Sequence, residues 1–290
     1  MRSKHYLWHF FAIFSVIVWG TTFVSTKVLL NNGLTPSGIF LMRFLFAYIV
    51  MCFFAPRKLF ADNLKDELLF VIAGLGGGSA YFVAENTALG ITLATNVALI
   101  VCITPILTIF LSYFFYKKEP LKKALFLGSI VALAGVSLVI YNGNFVLKIN
   151  PLGDFLTILA ALAWAVYGVS LKWLDSKYSV LFITRKVFFY GVFTLIPFLP
   201  FSPPNIEFSS LLKPVVLYNL LFLGIIASLL CYFLWNTAIK KIGVIHVTNY
   251  IYAIPLVTLI TSYIVINERI APLAIVGSIM ILSGVYLAQK

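Results

Sequence analysis

The sequence predicts an all-α integral membrane protein of ten transmembrane helices, arranged as two inverted five-helix repeats. Three observations predict it. First, 62% of the 290 residues are apolar and 10% are charged, against about 25% charged in a soluble domain. A water-soluble fold has too little polar surface here to cover its apolar bulk. Second, the chain repeats itself. Asn86-Thr87-Ala88 returns as Asn236-Thr237-Ala238, and Pro105, Thr108, Ser112 and Tyr113 return as Pro255, Thr258, Ser262 and Tyr263. After a one-residue deletion, Glu119, Gly128-Ser129-Ile130 and Gly135-Val136 match Glu268, Gly277-Ser278-Ile279 and Gly284-Val285. Third, equivalent loops carry opposite charge bias. The 117–123 loop holds four lysines and its equivalent at 267–272 one arginine; the 90–92 loop holds no charge and its equivalent at 240–243 two lysines. Five helices per copy is an odd number, so the second copy enters the bilayer upside down, and the loop charges follow that reversal.

The elements follow in order. Apolar segments at 8–30, 36–55, 68–89, 93–116, 121–141, 151–174, 179–199, 214–239, 244–266 and 270–289 each approach the roughly 20 residues that span a bilayer core. None alternates with period two, which excludes a membrane barrel. The connections are short, as in Asn31-Asn32-Gly33 and Gly90-Ile91-Thr92, and the longest is the proline-rich stretch 200–213. Arg2, Lys4 and the apolar run behind them imitate a signal peptide, but the run continues to Leu30 without a small-residue cleavage site, so a retained first helix is expected. The repeats divide the chain into 1–145 and 146–290.

With the N-terminus inside, the cytoplasmic ends hold thirteen of the 21 Lys and Arg residues and the outer loops only Lys148, Lys213 and Arg269. The net charge of +12 is therefore a topology signal and an attraction to anionic lipid, not a nucleic-acid footprint. Both termini are expected to be cytoplasmic. Cys52, Cys102 and Cys231 lie in apolar runs, are odd in number and form no CxxC; they read as small apolar residues, with no disulfide framework or metal site.

The first helices of each copy repeat as well. Trp19 precedes Lys27 by eight residues, and Trp164 precedes Lys172 by eight; Arg43 and Arg185 follow early in the next helix. With Trp19-Gly20, the Glu85-Asn86-Thr87-Ala88-Leu89 run, Pro105, Lys117-Lys118-Glu119 and their second copies, nearly the whole chain resembles the EamA-like drug/metabolite transporter superfamily. The resemblance implies ten helices, alternating access, and export or exchange of small metabolites across a bacterial-type inner membrane, with helices 5 and 10 as peripheral supports. Its partners would be a small-molecule substrate, the lipid bilayer and, as one assembly, a second copy of the chain. Trp235 departs from the pattern by standing where the first copy has Glu85.

Several residues are candidates for the pathway. Pro105 and Pro255 lie near mid-helix, where each frees the carbonyl four residues back, Val101 and Ile251. In hydrocarbon such a break belongs against protein or a cavity, so it is expected to kink the pathway wall, with plain packing as the competing role. Glu85, Arg43 and Lys27 are charges inside spans, where each costs about 2.5–3.5 kcal/mol at the centre. Glu85 paired with Arg43 or Lys27 would make an outer gate or titrating site, against snorkelling or a static ion pair. Arg185 is the counterpart of Arg43 and is left open between substrate contact and anchor; Lys186 reads as a topology anchor. Asn96 and His246 are equivalent positions, with Asn249 and Tyr250 on the face of His246. These suit substrate hydrogen bonding or proton transfer, and equally an interhelical bond.

Trp19 and Phe23 with Thr22 and Thr26, then Trp164 and Tyr167 with Gly168, and Trp235, would wall an aromatic pocket for an amphipathic solute; an aromatic stripe more often only packs. The run Gly74, Gly76, Gly77, Gly78 lies inside an apolar helix, so close helix packing is expected rather than a nucleotide loop. A membrane enzyme would want GxSxG, HExxH or a metal set. These are absent, and two of the three histidines lie at the N-terminus. No P-loop lysine motif is present either. A secondary carrier without cofactor, metal or catalytic residue is the expectation, with a membrane enzyme or channel as rivals.

Overall fold

The computed structural model describes residues 2–55, 58–92, 94–116, 123–141, 150–205, 211–266 and 272–288. The lysine loop at 117–122, the arginine loop at 267–271 and the linker at 142–149 lie outside them. Ten helices result. They are α1 (Arg2–Asn31), α2 (Pro36–Phe54), α3 (Leu64–Ile91), α4 (Ala94–Val101 and Thr104–Tyr116), α5 (Lys123–Tyr141), α6 (Pro151–Leu174), α7 (Val180–Phe193), α8 (Pro214–Ile242), α9 (Val244–Thr248 through Ile254–Ile266) and α10 (Pro272–Ala288). By length and composition, α1, α2, α3, α6, α7 continued to Phe198, and α8 are each long and apolar enough to cross a membrane, and the other four supply shorter apolar pieces.

Local signals set the ends. The side chains of Thr35, Asn63, Asn150 and Ser179 accept from backbone amides in the first turns of α2, α3, α6 and α7, occupying donors a helix start leaves unpaired. Gly33 and Gly243 take φ of +91° and +85°, a region closed to most side chains. Gly243 alone thereby separates α8 from α9.

The inversion is visible where α5 meets α10. A Cβ added to Gly128 would lie 2.6 Å from Gly284 O, and one added to Gly135 2.6 Å from Gly277 O. As the number rises along α5 it falls along α10, so the two helices are antiparallel. In the sequence repeat Gly128 matches Gly277 and Gly135 matches Gly284. Exchanging the two copies therefore turns each contact into the other, the signature of a two-fold axis perpendicular to the helices. Small residues permit this approach, as dispersion between close backbones requires in a membrane.

The central glycines also pack. Gly76 and Gly77 face Ala163 and Tyr167 of α6, and Gly74 and Gly78 face Gly191 of α7. They lie in or beside a π-type stretch, Leu75–Ser79, which widens α3. Its twin Phe222–Leu230 widens α8. A widened turn weakens its own ladder and offers backbone oxygen to neighbours. Gly77 O accepts from Tyr232 Oη at 2.5 Å, and its equivalent Ala227 O accepts from Trp19 Nε1 at 2.9 Å.

Both mid-helix prolines stand at breaks. The α4 helix opens between Val101 and Thr104, and α9 tightens to a 3-10 stretch at Asn249–Ala253. The carbonyl of Ile251 accepts from Cys102 Sγ at 3.7 Å, so the break in one half leans on the break in the other.

Candidate functional site

The breaks and widened turns converge on a small, partly open cavity lined by Trp19, Thr22, Phe23, Arg43, Tyr81, Phe82, Glu85, Val101, Trp164, Ile251 and Ile254. Both halves contribute. Five of its eleven lining residues are aromatic. The Trp19 and Trp164 ring centroids lie 5.1 Å apart edge to face, Trp235 lies 4.8 Å from Trp19, and Tyr81 lies 4.9 Å from Trp164. Tyr232 packs behind both tryptophans. Edge-to-face contacts match the positive ring edge to the negative face and hold the rings as a fixed frame.

Two charged groups enter this frame. Arg43 is 2% exposed. Its Nε donates to Ser228 Oγ at 2.8 Å, and its guanidinium lies 4.3 Å from the Phe82 ring centre. Among the described residues neither of its Nη groups meets a protein acceptor. A guanidinium carries five N–H donors, so four remain for whatever enters. Glu85, 6% exposed, accepts from Tyr81 Oη at 2.7 Å through one oxygen; the other has no donor among the described residues.

The expected pairing of Glu85 with Arg43 or Lys27 is not made. The direct ion pairs among the described residues are Lys58–Asp62, Lys177–Asp66 and Lys186–Glu67. Lys27 instead donates to Leu89 O at 2.5 Å and Thr92 O at 3.4 Å. It thereby caps the carbonyl end of α3, where a cation is favoured.

Of the other candidates, Tyr167 and Trp235 stand one layer behind the cavity. Tyr167 donates to Asn236 Oδ1 at 2.5 Å, and Asn236 donates to Thr184 Oγ1 at 3.0 Å. His246, Asn249 and Tyr250 are not brought to it. Tyr250 Oη bonds His9 Nδ1 at 2.7 Å, Asn249 is fully buried, and α9 presents Ile251 and Ile254 instead. The 3-10 winding between 249 and 253 turns about 120° per residue rather than 100°, which rotates the face that regular helical spacing would show. The Asn96 side chain lies outside the described residues.

Arg185 and Lys186 serve a strap at the opposite end of the bundle, residues 58–62. Arg185 donates to Lys58 O and Lys186 to Leu59 O at 3.0 Å. Glu67 accepts from Ala61 N at 2.6 Å, and Tyr178 accepts from Asp62 N at 2.8 Å. Lys186 is 3% exposed and paired with Glu67, so its ammonium is buried against a carboxylate at this end of the bundle. Beside the strap Asp66 takes Lys177 at 2.8 and 3.0 Å. In the turn after α6, burial pushes the Asp175 carboxyl up to about 7 although Lys240 pulls the other way.

Sequence reasoning missed Tyr81, Phe82, Tyr232 and Ser228. Tyr81 stands one turn before Glu85, a spacing that signals a hydrogen bond. Ser228 had no signal, because its twin is Gly78 and the widened turn that aims it is a property of the backbone.

A family model described as the EamA-like transporter family matches residues 6–141 and 151–289. The chain belongs to the EamA-like transporter family. It is thus a multi-pass membrane transporter and not an enzyme. An uncharacterized transporter of Archaeoglobus fulgidus is 27% identical over 99% of this chain and 98% of its own length. A probable terminal-alkyne amino-acid exporter of Streptantibioticus cattleyicolor is 24% identical over 96% and 92%. A probable amino-acid metabolite efflux pump of Escherichia coli K12 is 25% identical over 95% and 92%. A crystal structure at 17% identity superposes with a TM-score of 0.75 over 96% of this chain and 95% of that one, which is likeness of fold.

Proposed function

We propose that this chain is a secondary carrier that exports or exchanges small amphipathic metabolites bearing a carboxylate and an amine, amino-acid-like zwitterions foremost, by alternating access. The observation that carries the reading is the pair of Arg43 and Glu85, sharing one aromatic cavity without an ion pair between them. Two opposite charges held apart in low dielectric attract each other unless a ligand satisfies both. A zwitterion does so: its carboxylate takes the Nη donors side by side, its ammonium meets Glu85 and the indole faces, and its apolar part fills the remaining wall. Two relatives named as amino-acid-type exporters support the same class.

The prolines at the α4 and α9 breaks act as hinges in this scheme, and the repeats divide at 145/146. Both termini and the strap lie in the cytoplasm of a cell with a bacterial-type inner membrane, as the basic residues favour. A homodimer is compatible with this reading.

The test is counterflow in proteoliposomes with L-phenylalanine, phenethylamine and 3-phenylpropanoate. The zwitterion should be preferred over both singly charged analogues. Preference for an analogue, or flux at channel rates, would remove the reading.

A further inference from the structure

The two-fold relation that governs α5 and α10 fails between α2 and α7, and the failure has a direction. Five positions repeat between α2 and α7 at an offset of 142: Ser37, Phe40, Arg43, Phe46 and Tyr48 match Ser179, Phe182, Arg185, Phe188 and Tyr190. Gly224 of α8 and Gly74 of α3 are likewise equivalent. A Cβ on Gly224 would sit 3.3 Å from Phe46 and 3.9 Å from the Arg43 Cα. A Cβ on Gly74 meets Tyr190 and, at 2.8 Å, Gly191 N. The twins of those two are Tyr48 and Ile49, not Arg43 and Phe46. So α7 stands about four residues, roughly 6 Å or one turn, out of the register that α2 holds. Arg43 consequently reaches the widened stretch of α8 and the cavity, while Arg185 is carried to the strap.

Two copies of one unit in unlike registers are two settings of one mechanism. We propose that Arg43 and Arg185 serve the cavity in turn: Arg185 is the carboxylate-binding residue of the state open toward the strap, and Arg43 that of the present state. This rests on the carrier reading above and adds the step that reading lacks. In the exchange, α7 advances one turn along α3 and α2 retreats along α8. Arg185 and Lys186 leave the carbonyls of Lys58 and Leu59, so the strap is the latch of the present state. The landing place for Arg185 is the widened turn of α3. Gly78 stands there in place of Ser228, but the adjacent Ser79 offers a hydroxyl, held for now by Thr194 of α7 at 2.8 Å. The same advance removes Thr194 and frees it.

The test uses the full-length protein oriented in liposomes, with labelled L-phenylalanine supplied to one face at a time. Arg43→Lys keeps the charge and loses the fork, and should raise the half-saturation constant about tenfold from the face opposite the strap. Arg185→Lys should do so from the strap face. Each should weaken its own face far more than the other. An Arg185→Lys protein that weakens both faces alike, or neither, overturns the proposal. Absence of any wild-type flux would instead sink the carrier reading beneath it. A second measurement does not depend on Arg185 folding variants. In a background without Cys52, Cys102 and Cys231, the pair Ser79→Cys and Thr194→Cys is bridged by a short bis-thiol reagent. Bridging should stop exchange and its reversal restore it; undiminished exchange in the bridged protein refutes the slide of α7.

Discussion

Replacing Arg43 by glutamine removes the one cation of the cavity and little volume. The guanidinium spends Nε on Ser228 and its face on Phe82, leaving both Nη groups for ligand. Hydrogen bonds to a charged partner contribute about 1.5–3 kcal/mol each. Glutamine still donates one neutral bond, so the net loss for a carboxylate ligand is about 3 kcal/mol, or roughly a hundredfold in affinity at about 1.4 kcal/mol per decade. An amine without a carboxylate loses none of this and is relieved of a repelling cation. The assay is half-saturation of counterflow with L-phenylalanine and with phenethylamine, on protein whose size-exclusion profile matches the wild type. Arg43→Gln should weaken the first about a hundredfold and leave the second unchanged or improved. Equal weakening of both would mean that Arg43 holds the wall and does not read the carboxylate, and the zwitterion assignment would fall with it.

The remaining predictions concern the scaffold. Gly284→Ala places a Cβ 2.5 Å from Ala132 N and should cost about 1–3 kcal/mol as overpacking, read as a lower melting midpoint in detergent. Glu67→Gln leaves Lys186 buried without its counter-charge; with 16% of the Glu67 side chain exposed, about 3 kcal/mol is expected, the low end for breaking a buried pair. Asp62→Asn, on an exposed pair, should not move the midpoint. Asp175 has its folded pKa raised to about 7 from an ordinary 3.8. Its protonated form favours the folded state, so that stabilisation is complete below about 4 and is lost as pH rises through about 7. Asp175→Asn should flatten the fall in melting midpoint between pH 5 and 8; an unchanged slope would show that another group titrates there.

Much of the fold was legible because the bilayer leaves few options. Ten apolar runs had to be helices, and loop charge together with an odd helix count per copy forced the inversion. The repeat had already matched Gly128 with Gly277 and Gly135 with Gly284, the glycines that meet at the α5–α10 seam. The site was half legible. Trp19, Phe23, Arg43, Glu85 and Trp164 converge because a polar or amphipathic side chain inside a span has few places to go except a shared cavity. What escaped depends on departures from regular winding. The 3-10 turn at 249–253 moves His246, Asn249 and Tyr250 off the wall, and the π stretch of α8 moves Ser228 toward it. Helical spacing assumes one turn angle and is blind to both. Lys186 escaped for another reason. A lysine near a span end ordinarily snorkels, and only the folded strap supplies the carbonyl and carboxylate that make burial tolerable.

The unequal use of equal positions bears on how a duplicated fold becomes a carrier. Glu85 faces Trp235 by descent of position, and Arg43 faces Arg185, yet both cavity charges come from the first copy. Perfect symmetry would place two glutamates and two arginines around one chamber, and the like charges would repel within a medium of low dielectric. Trp235 relieves one such clash permanently, by substitution: it adds an indole to the frame where a second carboxylate would stand. The arginines are both retained, so their clash is relieved by position, Arg43 in the cavity and Arg185 on the strap. A residue removed by substitution is gone from every state, whereas one removed by displacement is available to another. On the proposed exchange, the chain has kept duplication in the group that binds ligand from two sides, and given it up in the group that one state alone can satisfy.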